Sequence, residues 1–402
     1  MVTVVFALAS CLAPAEDHRQ DLNFLIDSWR DYGAYVRDDG IDVEALRKAY
    51  APKFASVSGR PALLRALEQV VAELHDFHAS LGTNDDASPR LVPSGTDVVG
   101  HWEGDKAIVD QVKTESLAAR AGVKAGEEIT SINRNSVREE CRKWLGIRRP
   151  DRRAWDWALN SALAGRWNAN RILGLRCRGQ SRTLTLPTAA KDETMPVLTV
   201  EHREGGILYI RIENSLGNDD LIRAFDATTP QMRAAKRIVL DLRNTPSGGN
   251  SDVARGIMGL YISHRMPFQR HRVEERSTGT VRDWVEYATP RLKTPVTAKM
   301  VVLVGRWTSS MGEGIAIGFD AMHRATVVGT QMAGLRGAVD RFILPQSGIP
   351  VAFPTEQVFH INGLPRHEWI PPVRVIPRGN DDVWWFEAKR LLTKNRRGLS
   401  PE

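Results

Sequence analysis

Two stretches have residue types and spacing that could do covalent chemistry at a carbonyl. The first is Lys299-Met-Val-Val-Leu-Val-Gly-Arg-Trp-Thr308-Ser309-Ser310-Met311-Gly312-Glu313-Gly-Ile-Ala: a strand, a sharp polar turn, then a helix. A serine placed there meets the free N–H groups and the positive dipole end of a helix N-terminus. Strand–turn–helix presentation is a recurrent way to expose a nucleophile, although Ser and Thr also serve simply as helix N-caps. The second stretch is Arg237-Ile-Val-Leu-Asp241-Leu-Arg-Asn-Thr-Pro-Ser247-Gly248-Gly249-Asn250, a strand that ends in a Gly-rich turn before a helix. Such a turn can aim backbone N–H groups at a developing negative charge. Its glycines also suit a plain tight connection that needs special backbone angles.

These residues need a frame. From 195 to 385, short β-branched strands (Gly206–Ile212, Arg237–Leu242, Lys299–Val304) alternate with helices at Asp252–Ile262 and Gly312–Ala321. That alternation implies an α/β core with parallel pairing. His264–Ala298 between them reads as a long loop, functional or mobile. Residues 20–87 read as helical. Gly59-Arg60-Pro61 opens a helix whose apolar stripe Leu63, Leu67, Val70, Val71 and Leu74 continues to His78. In 88–190, a strand at Val109, the Ser116-Leu-Ala-Ala-Arg-Ala-Gly-Val helix and Ala125-Gly-Glu-Glu-Ile-Thr-Ser-Ile-Asn133 resemble a PDZ domain. Strands near Ile172–Cys177 and Thr183–Leu186 would close it around a Trp- and Arg-rich helical insert at 137–170. PDZ domains capture extended chain ends by strand addition.

Together the two core stretches resemble the S41 peptidases (tail-specific, C-terminal processing proteases), whose pattern is roughly "DLRxNxGG" followed by "TaSasE". The matches are Asp241-Leu242-Arg243, Gly248-Gly249 and Thr308-Ser309-Ser310-Met311-Gly312-Glu313. The resemblance implies a crotonase/ClpP-like core with an inserted PDZ-like domain, Ser310 as nucleophile, and oxyanion donors at Gly248, Gly249 and Met311. It implies no metal or organic cofactor. The lysine that activates serine in one branch falls on Leu335, which cannot take a proton; adjacent Arg336 stays protonated. A second branch, similar to the tricorn core protease, uses histidine and glutamate. Its histidine falls on His78 in Glu73-Leu-His75-Asp76-Phe77-His78, and its glutamate on Glu368 in Gly363-Leu-Pro365-Arg366-His367-Glu368. Phe77 replaces that branch's relay serine, so Glu368 would orient His78 directly, through water, or through Ser80. The competing expectation is a non-catalytic relative that binds apolar ligands or peptides, or an envelope scaffold centred on the PDZ-like part.

The expected organisation is 1–19 leader and linker, 20–87 helical segment, 88–190 PDZ-like domain and 191–402 peptidase core. Met1–Cys11 is a short apolar run ending in small residues, as in a secretion signal. Leu8-Ala9-Ser10-Cys11 resembles a lipobox, so Cys11 is a candidate for lipidation and membrane anchoring in a bacterial envelope. Net charge is +7 from 55 basic and 48 acidic residues, too mild a bias to imply a nucleic-acid partner. The basic aromatic cluster Arg142, Lys143, Arg148, Arg149, Arg152 and Arg153 with Trp144, Trp155 and Trp157 reads as a solvated helical face with tryptophans turned inward. Cys141 and Cys177 could pair in an oxidising compartment or stay reduced. His75 and His78 lack a clear third ligand for a metal. A peptide or protein substrate is the expected partner.

Overall fold

The computed structural model describes residues 15–188, 196–377 and 382–394; the lipobox-like Cys11 lies outside them. A strand apolar on successive positions needs cover on both faces, and the central sheet has it. Its order is Leu198–Arg203, Ile207–Ile212, Arg237–Asp241, Lys299–Val304, Thr326–Gly329, Val373–Arg374. The first pair is antiparallel and every later pair parallel. Leu208, Ile210, Leu240 and Val302 face one buried layer built on the helices Asp220–Ala234, Ser251–Met258 and Met311–Ala321. Ile207, Tyr209, Val239 and Val301 face the other, closed by Trp384, Ala388 and Leu392 of the helix Val383–Thr393.

A second sheet is antiparallel, in the order Thr280–Ala288, Met266–Glu275, Pro350–Phe359, Ala338–Ile343. The first two strands lie within His264–Ala298, where a long loop is expected. The alternating Arg, Val, Glu and Thr residues there make a hairpin of ten- and nine-residue strands instead. Its polar side chains pair across strands, which hid the pattern from an apolar-run search.

The helices Arg19–Tyr32, Val43–Phe54 and Gly59–Ala72 pack on this sheet through one core that includes Trp29, Leu67, Leu344 and Phe353. The third helix stops at Ala72, with Glu73 at its C-cap. His75 then takes a left-handed φ of 45°. His78 is therefore in a turn rather than on the helix expected from the apolar stripe. The short strand Ser80–Leu81 follows at once and pairs with Ala352 and Val351, tying the histidine segment to the second sheet.

Residues 98–186 form a separate antiparallel sheet, Val98–Glu103, Lys106–Val112, Glu128–Ile132, Arg171–Cys177, Gln180–Leu186. The helices Val137–Arg142 and Arg152–Ala164 lie between its third and fourth strands in sequence. Cys141 is buried there and Cys177 is exposed on its strand; both are free thiols. The basic cluster is only partly a solvated face. Arg148 donates to the Glu73 carbonyl at 2.5 Å, and Arg153 pairs with Asp39 at 2.5 Å, which latches this unit to the N-terminal helices.

Trp29 is fully buried and meets Phe353 edge-on at 6.5 Å, so it anchors the helical layer to the sheet that carries Ser80–Leu81. Trp29→Ala should cost about 3–5 kcal/mol and lower the calorimetric melting temperature by several degrees. A shift within a degree of wild type would show that this contact does not hold the layer.

Candidate active site

Ser310 ends the turn after Lys299–Val304 and begins the helix Met311–Ala321. Its backbone is at φ 49°, ψ −112°, a conformation that costs a non-glycine residue roughly 1–3 kcal/mol. Glu313, one turn into the helix, holds it there. The Glu313 carboxylate is fully buried and accepts the N–H groups of Ser310 (2.8 Å), Gly334 (2.9 Å) and Leu335 (3.2 Å). Burial is the main influence and pushes the Glu313 carboxyl up to about 7, against the pull of the Arg366 guanidinium and those three N–H donors.

The two strand ends are stitched together beneath the serine. Thr245 N–H donates to the Trp307 carbonyl at 3.1 Å. Thr308 Oγ1 donates to the Leu242 carbonyl at 2.9 Å, and Ser309 Oγ to the Pro246 carbonyl at 2.8 Å. These bonds bring Gly248 against Ser310: a Cβ on Gly248 would sit 2.5 Å from Ser310 Cβ, and φ is +64°. Gly248 is not free as a donor, because its N–H closes a turn to the Thr245 carbonyl at 3.1 Å. It is a spacer, contrary to its expected role in the oxyanion hole. The N–H groups of Gly249 and Met311 have no hydrogen-bond acceptor among the described residues.

His78 comes from 232 positions away, and its Nε2 lies 3.1 Å from Ser310 Oγ. Its Nδ1 lies 2.7 Å from the backbone carbonyl of Arg336. A carbonyl only accepts, so Nδ1 carries the proton and Nε2 presents its lone pair to the serine hydroxyl. Asp76 accepts the His78 backbone N–H at 2.9 Å. Burial first, and then the charge of Arg366, holds the imidazole down to about 4, against the Arg336 carbonyl that favours the charged ring.

Glu368 is not the orienting group. It ends the 3-10 turn Arg366–Glu368, which turns Arg366 inward and leaves the Glu368 side chain 60% exposed, 3.6 Å from His367 Nε2. Ser80 is in strand pairing, and Phe77 stacks on Trp157 at 6.1 Å. His75 packs on Trp157 at 5.3 Å. Leu335, in the lysine position, is buried and contributes its N–H to Glu313.

Sequence reasoning missed Glu313 as a fixing group, although a Glu three residues after a helix-start Ser is capping-box spacing. It also missed the Arg336 carbonyl, for which no side-chain signal exists. That carbonyl is held through its own side chain. Arg336 pairs with Asp39 at 2.7 Å and lies 3.7 Å over the Tyr35 ring. Asp39 also binds Arg153, so three parts of the chain meet behind the histidine.

Comparisons with known proteins bear on the fold and the family likeness. Residues 206–372 match the model described as peptidase family S41. Probable CtpA-like serine proteases of Staphylococcus aureus are 22% identical over 275 residues, 67% of this chain. The chain spans about half the length of these curated relatives, 51%. Among solved structures, mature CPAF superposes with a TM-score of 0.63 at 14% identity, covering 94% of this chain and 95% of that one. The photosystem II D1 C-terminal processing protease gives 0.59 at 19% identity, covering 94% and 98%. These likenesses establish a mixed α/β fold shared with such proteases, and the likeness to peptidase family S41 falls on residues 206–372, the stretch that carries Ser310.

Proposed function

We propose that this protein is an exported serine peptidase that cleaves peptide bonds by acyl transfer to Ser310, with His78 as general base. The observation that carries the proposal is the His78 Nε2–Ser310 Oγ contact of 3.1 Å, with Nδ1 committed to the Arg336 carbonyl. As Oγ attacks the substrate carbonyl carbon, its proton passes to Nε2. The carbonyl oxygen becomes an oxyanion, for which Gly249 and Met311 supply unclaimed N–H groups. The C–N bond breaks as Nε2–H protonates the leaving amine. Water then attacks the acyl ester, with His78 again taking the proton, and frees Ser310.

Residues 88–190 are PDZ-like in sequence, and an antiparallel sheet with helices is compatible with capture of an extended peptide there. Export to a bacterial cell envelope, with Cys11 as lipid anchor, is supported by the apolar run at Met1–Cys11 and its lipobox-like end. No helix among the described residues is long and apolar enough to cross a membrane.

Fluorophosphonate labelling tests the core of the proposal. Ser310→Ala should abolish labelling, and His78→Ala should slow it about 10²–10⁴-fold. Well-folded wild type that resists the probe, with or without peptide, would favour the non-catalytic alternative.

The low pKa of His78 makes a distinct prediction. The neutral ring is the competent form, so in Glu313→Gln, which removes the carboxyl held up near 7, the residual labelling should fall only as pH drops through about 4, not through the ordinary 6.5. An acid limb near 6.5 would show that the base is in another environment.

Glu313→Gln places an amide donor among three N–H donors. Labelling should slow at least about tenfold, since displaced catalytic geometry of this kind costs up to 10²-fold. Labelling at the wild-type rate would remove Glu313 from the site.

A further inference from the structure

The Gly248–Gly249 turn is held from one side by Ser309 and the strand end at 305–308, but its outer side faces a different segment, 213–218. That segment follows the strand Ile207–Ile212 and bends sharply at Asn214, whose φ is +53°. Asn is among the few residues with a side chain that enter this region readily. The bend lets Asn214 bind the turn with three groups at once. Its backbone N–H donates to the Asn244 carbonyl at 2.7 Å. Its Oδ1 accepts the Ser247 N–H at 2.9 Å, and its Nδ2 donates to Ser247 Oγ at 3.0 Å. Two residues on, the Leu216 carbonyl accepts the Asn250 N–H at 3.3 Å. The same carbonyl leaves no space at Gly249, where a Cβ would lie 2.2 Å from its oxygen.

We infer that Asn214 is a positioning residue that sets the path of residues 247–249 and so aims the Gly249 N–H at the oxyanion. The inference rests on the proposed acyl-transfer reading, in which Gly249 is one of two oxyanion donors. The geometry makes the division of labour specific. Gly248 spends its N–H on the Thr245 carbonyl and touches Ser310, so the turn can approach the nucleophile. The next peptide, between Gly248 and Gly249, carries the free N–H. Its direction follows from where Ser247 is fixed on one side and Asn250 on the other. Asn214 and Leu216 supply those two fixings. Glu213, just before the bend, accepts from Asn244 Nδ2 at 2.7 Å, which holds the start of the turn on the same segment. Asn214 makes its hydrogen bonds to Asn244 and Ser247, not to Ser310 or His78, and would act only through the turn.

The test uses the full chain and a fluorophosphonate probe, with the rate of covalent capture resolved from initial probe affinity. Asn214→Gly keeps the left-handed backbone and removes both side-chain bonds to Ser247. We expect the capture rate to fall about tenfold with probe affinity and melting temperature near wild type, and amide exchange to rise at 247–249. That loss is smaller than the 10²–10³-fold cost of deleting a donor outright, because the N–H is displaced and not removed. Ser247→Ala, which keeps the N–H bond to Oδ1, should have a smaller effect. An unchanged capture rate in Asn214→Gly would overturn the inference, as would a fall that merely tracks a lowered melting temperature. Unchanged amide exchange at 247–249 would overturn it even if wild type proves inert to the probe, whereas inert wild type sinks the acyl-transfer reading itself.

Discussion

One buried carboxylate sets the geometry on which the rest of the site depends. Glu313 accepts backbone N–H groups from the serine turn and from residues 334 and 335, and the next carbonyl in that second segment, Arg336, receives His78 Nδ1. Ser310 and His78 lie 232 positions apart in the chain, yet both are referred to this single side chain. The energetics allow it. A strained Ser310 costs roughly 1–3 kcal/mol, and its N–H bond to Glu313, worth about 1.5–3 kcal/mol while that carboxyl is ionised, is of the same size. The remaining charge cost is moderated by Arg366, which is buried nearby and donates to the Gly337 carbonyl at 2.5 Å.

Much of the frame was legible in the sequence, because the physics there is local. Lys299–Val304 and Arg237–Asp241 are short apolar runs between turn residues, and each proved a central strand. The Ser310 turn was legible from helix-start chemistry following such a strand. The hairpin at Met266–Glu275 and Thr280–Ala288 was not, since its side chains are mostly polar and its pairing is set by cross-strand ion pairs. The end of the third helix was misread because Leu74 and His78 continue a helical spacing by chance of composition. The left-handed turn at His75 breaks it.

The partner of His78 Nδ1 shows where sequence reasoning runs out. A search for a catalytic side chain finds carboxylates, and Glu368 stood in plausible company. The chain uses a main-chain carbonyl instead, which any residue can supply and no pattern reveals. What makes that carbonyl dependable is the side chain of Arg336, held by Asp39 and stacked over Tyr35. The same Asp39 binds Arg153 from the 98–186 unit. The position of His78 is thereby referred to the packing of three chain segments.

A carbonyl dipole orients an imidazole but does little to stabilise its charge, and this shapes the proposed chemistry. Holding His78 near 4 instead of 6.5 makes its protonated form about 3 kcal/mol less favourable than in water. The ring is thus neutral and ready at neutral pH, but a weak base. The imidazolium formed during attack would lie between Arg366, which opposes it, and the developing oxyanion, which favours it. On the proposed reading, protonation of His78 becomes favourable only when substrate supplies that negative charge. The burden of catalysis then shifts to the oxyanion side, and the exact path of the Gly249 turn matters more than it would beside a carboxylate-supported histidine.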